Sequence, residues 1–337
     1  MRLSSNAADA VQGLTAPYEP LTFFLDLDPP LGDFRTDVLE GLAKPQKALS
    51  PKYLYDEAGS QIFDEITRVP EYYPTRTERG IVEQYKDEIA TAIGPGRCVF
   101  EYGSGSSEKI DALLSLMDQP AGYVAMDISR DHLLTSAKDF AERTTLPVGA
   151  VCADFTAALD MLNKVVAEDT KWLGFFPGST LGNLSTDDAI QFLGNASEAL
   201  GTDARFFLGL DLEKDRETLQ LAYDDPKGIT ADFNLNLLTR IKRELGADLD
   251  EGDFEHHLII PEAPQRVEMH LRALRPTTIA LEGQTFHFGT GETLHTENSN
   301  KFTLPRLDDL LSNTPWKRVE TWVDERQWFS TCLLSNN

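Results

Sequence analysis

The chain has 337 residues, 41% hydrophobic and 26% charged, enough for one large α/β domain or two smaller ones with cores of their own. A formal net charge of −24 and the lack of any Lys/Arg-rich run argue against nucleic acid, which demands a basic footprint. No apolar run approaches the roughly 20 residues of a membrane span and no signal peptide is apparent, so a soluble, cytoplasmic protein without a membrane partner is expected.

Residues 1 to about 20 carry no strong pattern, and the first predicted helix covers Asp33 to Leu49. The segment Leu49 to Thr67 follows, then P-E-Y-Y-P-T-R-T-E from Pro70 to Glu78. The two prolines predict an extended turn at Tyr72 and Tyr73, with a helix from Thr75 to Ile93. A βα rhythm comes next. Strands are expected at Cys98–Tyr102, Gly122–Asp127, Val148–Ala153, Trp172–Phe176 and Arg205–Leu212. The helices between them are Glu108–Met117, Arg130–Thr144, Ala157–Val166 and Asp187–Leu200. Such alternation implies a mostly parallel sheet covered on both faces. After Asp211 the rhythm breaks. Helices over 215–224 and 230–245 precede period-two segments around Val267–Arg272, Thr277–Leu281 and Thr285–Phe288, read as an antiparallel insertion. A helix at Leu304–Leu311 and strands at Val319–Val323 and Phe329–Leu334 close the chain as an edge hairpin.

Three features at successive strand ends point to a cofactor. Glu101-Tyr102-Gly103-Ser104-Gly105 leaves an apolar strand and enters a helix, as a glycine turn for a nucleotide-bearing ligand does. Glu108 stands where a dinucleotide fingerprint has its third glycine, which disfavours a pyrophosphate and suits a phosphate-free cofactor, S-adenosylmethionine (SAM). Asp127 ends the second strand and suits a ribose diol. Asp154 could accept from the adenine amine, with Phe155 against the ring and Lys109 on the cofactor's carboxylate. Either aspartate could instead cap a helix. Asn183, after the fourth strand, reads equally as a ligand contact or as a loop cap. Far downstream, L-H-T-E-N-S-N-K-F sets Glu297 and Ser299 two residues apart, hence on one side of an extended chain. Three well-separated cysteines, Cys98, Cys152 and Cys332, read as buried reduced thiols, and scattered histidines give no metal site.

The segments Y-L-Y-D-E-A-G-S-Q-I-F-D-E-I, P-E-Y-Y-P-T-R-T-E, E-Y-G-S-G-S-S-E-K, F-P-G-S-T-L-G-N, A-Y-D-D-P-K-G-I-T-A-D-F-N, V-E-M-H-L and L-H-T-E-N-S resemble the L-histidine Nα-methyltransferase family of ergothioneine biosynthesis. The resemblance runs from about Leu49 to the last strands. It implies an α/β fold: a Rossmann-like class I SAM-dependent methyltransferase sheet with an inserted α+β substrate-binding domain. The expected boundaries are 15–77 and 214–301 for the substrate domain, and 78–213 and 302–337 for the SAM domain. The implied activity is trimethylation of the α-amino group of L-histidine to hercynine; separately, a monomer is expected. Carried over, Gly103, Lys109, Asp127, Asp154 and Phe155 hold SAM, and Asn183 and Tyr223 grip the substrate carboxylate. Glu297 and Ser299 grip the imidazole, Met269 and Tyr72 line the ring site, and Tyr55 and Gly178 stand near the amine. An acceptor-only Glu beside a Ser hydroxyl matches the two nitrogens of an imidazole better than the single N–H of an indole. The competing expectations are a same-fold enzyme for tryptophan or another amine, a non-catalytic SAM-binding module and, third, an NAD oxidoreductase.

Overall fold

Short runs of apolar, aromatic and β-branched residues separated by amphipathic helices build an eight-stranded sheet. The structure, a computed structural model, describes residues 1–3, 18–27, 34–105, 108–154 and 165–336. In chain order the strands are β1 (Phe23–Asp26), β2 (Lys47–Ala48), β3 (Cys98–Tyr102), β4 (Gly122–Asp127), β5 (Val148–Cys152), β6 (Trp172–Phe176) and β7 (Arg205–Asp211). They continue with β8 (Phe254–Ile259), β9 (Arg266–Ala273), β10 (Thr277–Leu281), β11 (Gln284–Phe288), β12 (Thr293–Asn300), β13 (Trp316–Val323) and β14 (Phe329–Asn336).

The chain divides into two compact units. The first comprises Met1–Leu31, Arg76–Leu212 and Phe302–Asn337. Its sheet has the order β1-β5-β4-β3-β6-β7-β14-β13. The strands from β1 to β7 run parallel, and β14 and β13 return antiparallel. Successive strands move outward from β3 on one side and from β6 on the other. The switch point, where open α/β sheets bind ligands, therefore lies at the carboxyl ends of β3 and β6. This is the expected Rossmann-like class I sheet. Every residue of β3, β5 and β6 is buried, because helices cover both faces. Alternation sends Phe100, Tyr102 and Phe206 to one core with Phe176, Phe192 and Trp316, and sends Val99 and Phe207 to the other with Ile110, Tyr123 and Trp322. Each such aromatic or aliphatic side chain contributes about 1.5–3 kcal/mol on burial.

The second unit comprises Gly32–Thr75 and Glu213–Lys301. Its sheet, β2-β12-β9-β8, is antiparallel except that β2 runs parallel to β12, and β10 and β11 form a separate hairpin. The helix Ile229–Leu245 buries Phe233, Leu237, Leu238 and Ile241 in a core shared with Tyr53, Leu54, Leu271 and Leu294. Its start is fixed by Asp225. This carboxylate accepts from the backbone N–H groups of Lys227, Ile229 and Thr230 at 3.1, 3.2 and 2.8 Å.

Four sequence expectations need correction. Residues 15–31 were expected in the inserted domain, but β1 pairs with β5 and so extends the large sheet. The helix expected over 33–49 is Phe34–Ala43. It stops before Pro45, whose ring excludes a helical conformation from the residue ahead of it. The extended turn expected at Tyr72 and Tyr73 gives way at Tyr73, which opens the helix Tyr73–Gln84 with Pro74 in its first turn, where the missing N–H costs nothing. The single helix expected over 75–93 is interrupted at Tyr85 and resumes as Lys86–Ile93. Most of the helix expected over 157–166, and Phe155, lie outside the described residues. No helix among the described residues is long and apolar enough to cross a membrane.

Candidate functional site

Two groups of predicted residues emerge, one in each unit. In the first unit, hydrogen bonds tie the carboxyl ends of β3, β4 and β5 together. The N–H groups of Gly103 and Ser104 both donate to the Met126 carbonyl at 2.9 Å, and that of Ala153 donates to the Asp127 main-chain carbonyl at 3.1 Å. Gly103 makes the turn with φ +73°, a conformation that side-chain-bearing residues rarely adopt. Asp127 accepts from the Ser129 N–H at 2.9 Å, and burial raises its carboxyl above the ordinary range against that bond. Asp154 follows β5 at the adjacent strand end. The Ser104 hydroxyl is buried without a hydrogen-bond partner among the described residues, a polar group left for a ligand at the glycine turn. The absence of a phosphate-binding third glycine and this orphaned hydroxyl both suit SAM.

Beneath the turn, burial pushes the Glu101 carboxyl up to about 8, against the bond it accepts from the Tyr123 hydroxyl at 2.6 Å and the charge of Lys109. Lys109 forms an ion pair with Glu78 at 3.0 Å. The same Glu78 carboxylate accepts from the Gly178 N–H at 2.9 and 3.1 Å. Asn183 ends a 3-10 turn, Thr180–Asn183. It is not the cap of the next helix: Ser185 is, accepting from the Asp188 N–H.

In the second unit a bulge in β12 sets the other group. Its register with β9 shifts between His295 and Glu297, so Thr296 is the extra residue while Glu297 pairs with Met269 and Ser299 with Val267. The bulge is pinned from the helix Ile229–Leu245. The Thr296 hydroxyl lies 2.7 Å from Asn234 Oδ1 and 3.0 Å from the Met269 carbonyl. Asn234 Nδ2 reaches the His270 carbonyl at 3.0 Å and His256 Nδ1 at 2.9 Å. Since that amide nitrogen only donates, His256 carries its proton on Nε2 and donates it to the Tyr223 carbonyl at 2.8 Å. Burial keeps His256 below the ordinary histidine range, and it drives His270 down to about 4, so both stay neutral.

Glu297 and Ser299 are thereby buried two residues apart on one strand. The Ser299 hydroxyl is 2.8 Å from the Tyr223 hydroxyl, which links two residues expected at opposite ends of a substrate. Lys301, fully buried, donates to both hydroxyls at 2.8 Å, and its ammonium lies 4.5 Å from the Tyr223 ring centroid. Tyr55 packs edge-on against Phe63 and Phe233, and Tyr72 against Tyr223 at 6.2 Å between centroids. Burial, and then the Glu297 charge, raise the Tyr55 hydroxyl well above its ordinary value, so it remains a neutral donor. Met269 is buried in the same core as Tyr72.

Glu78, Lys301 and Asn234 escaped the sequence reading. Each is a buried polar residue with at least one partner distant in the chain. Lys301 alone carried a local signal, being the next same-side position after Glu297 and Ser299. Cys98, Cys152 and Cys332 are free and buried, and no cluster of metal-ligating residues occurs among the described residues.

A family model described as histidine-specific methyltransferase, SAM-dependent, matches residues 34–336. A histidine N-alpha-methyltransferase of Mycobacterium tuberculosis is 37% identical over 307 residues, covering 89% of this chain and 94% of that protein. One of Mycolicibacterium smegmatis is also 37% identical, over 322 residues, covering 93% and 98%. The ergothioneine biosynthesis protein 1 of Schizosaccharomyces pombe is 26% identical over 293 residues, covering 84% of this chain and 38% of its own.

Proposed function

This chain belongs to the histidine-specific, SAM-dependent methyltransferases, and on that footing we propose that it adds three methyl groups in succession to the α-amino nitrogen of L-histidine, giving hercynine in the first step of ergothioneine biosynthesis. Bound SAM supplies an electrophilic methyl on a positively charged sulfur. We assign its carboxylate to Lys109, its ribose to Asp127, its adenine to Asp154 and Phe155, and the turn beneath it to Gly103. The Ser104 hydroxyl is a further donor for it.

The substrate ring is assigned to Glu297 and Ser299, with Met269 and Tyr72 against its faces. A carboxylate only accepts, so it takes a ring N–H, and the hydroxyl serves the second nitrogen. Asn183 and Tyr223 are assigned the carboxylate, and Tyr223 joins that end of the substrate to the ring end through Ser299. Tyr55, Gly178 and Asn183 orient the amine. No strong base is required, because an α-amine with a pKa of roughly 8 is partly neutral at working pH. Alignment of its lone pair is the main task, and polar, uncharged groups suit an ammonium developing as the sulfonium is discharged.

The observation that carries the reading is the buried Glu297–Ser299 pair on β12, held by the bulge and backed by Lys301. Reduced, buried cysteines suit a cytoplasmic enzyme, and we propose that it acts there as a monomer. The test is to incubate the protein with SAM and histidine, count S-adenosylhomocysteine formed per histidine consumed, and locate the methyls by NMR. Three equivalents with all methyls on the α-nitrogen support the proposal. Methyls on the ring, or a single equivalent, refute it.

A further inference from the structure

We propose that Glu78 is a positioning residue that holds Lys109 and the Gly178 turn in their working arrangement, a role that rests on the assignment of Lys109 to the cofactor carboxylate. Glu78 belongs to the segment P-E-Y-Y-P-T-R-T-E, yet no ligand contact is assigned to it. It is 5% exposed, and its carboxylate joins two places far apart in sequence, the Lys109 ammonium at 3.0 Å and the Gly178 N–H at 2.9 and 3.1 Å. A buried carboxylate persists only where it is paired and hydrogen-bonded, and these contacts do both.

A second feature shows that room is reserved for it. Gly209, in the middle of β7, has ordinary extended backbone, yet a Cβ there would stand 2.1 Å from Glu78 Oε1. Glycine weakens a strand interior and marks a close approach, and what approaches here is the Glu78 carboxylate, together with the Gly178 nitrogen it holds, 3.1 Å from the same Cβ position.

A lysine side chain is long and loses much rotamer freedom when a ligand immobilises it. Glu78 fixes the ammonium beforehand through one of its three N–H groups and leaves two for a carboxylate ligand. The same carboxylate charge also repels an incoming anion, so preorganisation and repulsion predict opposite signs when it is removed. We take preorganisation to dominate, because the ion pair and the Gly178 bonds neutralise and anchor Glu78.

Binding of S-adenosylhomocysteine is compared with that of 5′-methylthioadenosine, which shares the nucleoside and thioether but lacks the amino-carboxylate. The proteins are the full chain and its Glu78→Gln and Gly209→Ala variants. Gln keeps an oxygen for the Gly178 N–H but loses the charge, whereas the Gly209 change crowds Glu78 and the Gly178 turn it holds without altering any charge. Both variants should bind S-adenosylhomocysteine about three- to tenfold more weakly. Their affinity for 5′-methylthioadenosine should stay within twofold. In a double-mutant cycle, Glu78→Gln should add nothing to Lys109→Met. Unchanged or tighter S-adenosylhomocysteine binding in Glu78→Gln overturns the proposal, as does equal weakening of both ligands. Should Glu78→Gln fail to fold, the Gly209→Ala variant is read by the same criteria. If Lys109→Met alone leaves S-adenosylhomocysteine affinity intact, the cofactor assignment itself fails, and Glu78's role with it.

Discussion

Replacing Glu297 by Gln or Ala separates recognition of the substrate ring from cofactor binding and alignment of the amine. Glu297 is 7% exposed and stands on a strand whose bulge is fixed by Thr296 and Asn234, so the side chain at 297 does not set the local backbone. Glu297→Gln keeps the shape and an acceptor oxygen but removes the charge. A hydrogen bond to a buried charged group contributes about 1.5–3 kcal/mol, and about 1.4 kcal/mol is tenfold in affinity. Gln should therefore raise the histidine KM roughly tenfold, and Ala, which also leaves the ring N–H unpaired, roughly a hundredfold. The KM for SAM should stay within twofold, since its determinants are assigned to the other unit. The assay is initial-rate release of S-adenosylhomocysteine, with one substrate varied at saturating levels of the other. A histidine KM within twofold of wild type in both variants would refute the ring assignment.

Three other outcomes are expected. Tyr55→Phe should lower kcat roughly tenfold by loosening the amine, with the KM for SAM unmoved in the same rate assay; an unchanged kcat removes Tyr55 from the reacting centre. Asp225→Ala should cost about 1–2 kcal/mol, as loss of a helix cap does, in calorimetric unfolding. Burial opposes ionisation of Asp225, but the three backbone N–H groups win and hold its carboxyl below 3.8. Its contribution is thus complete above pH 3.8 and lost as pH falls through the lower folded value, so wild type and variant should converge in acid. Glu101 has the opposite sign: its folded value of about 8 exceeds the ordinary 4.5, so the native state retains the proton and wild-type stability falls between about pH 4.5 and about 8. Glu101→Gln should flatten that slope, and an unaltered slope would show that Glu101 is not its source.

The large sheet was legible because β3 to β7 are short apolar runs between helices of the right period. Strand order and the β1 pairing were not, since a four-residue strand such as Phe23–Asp26 gains its identity from its neighbour β5 rather than from its own pattern. Pro45 did carry a usable stop signal, and Pro74 a usable helix start, whereas the break at Tyr85 has neither Gly nor Pro to announce it. Glu297 and Ser299 could be read from spacing two on an extended chain. The bulge that makes Thr296 face Asn234 could not, because register belongs to the pair of strands. Glu78 was invisible for the same reason: Gly178 lies 100 residues away, and nothing local distinguishes a buried carboxylate from a solvated one.

The most direct test of the central claim is mass spectrometry of the purified protein incubated with SAM and, separately, each of the twenty amino acids. Histidine should gain three methyl groups, and no other amino acid should gain any. Methylation of tryptophan, or of any amino acid in preference to histidine, would contradict the reading of Glu297 and Ser299 as an imidazole site.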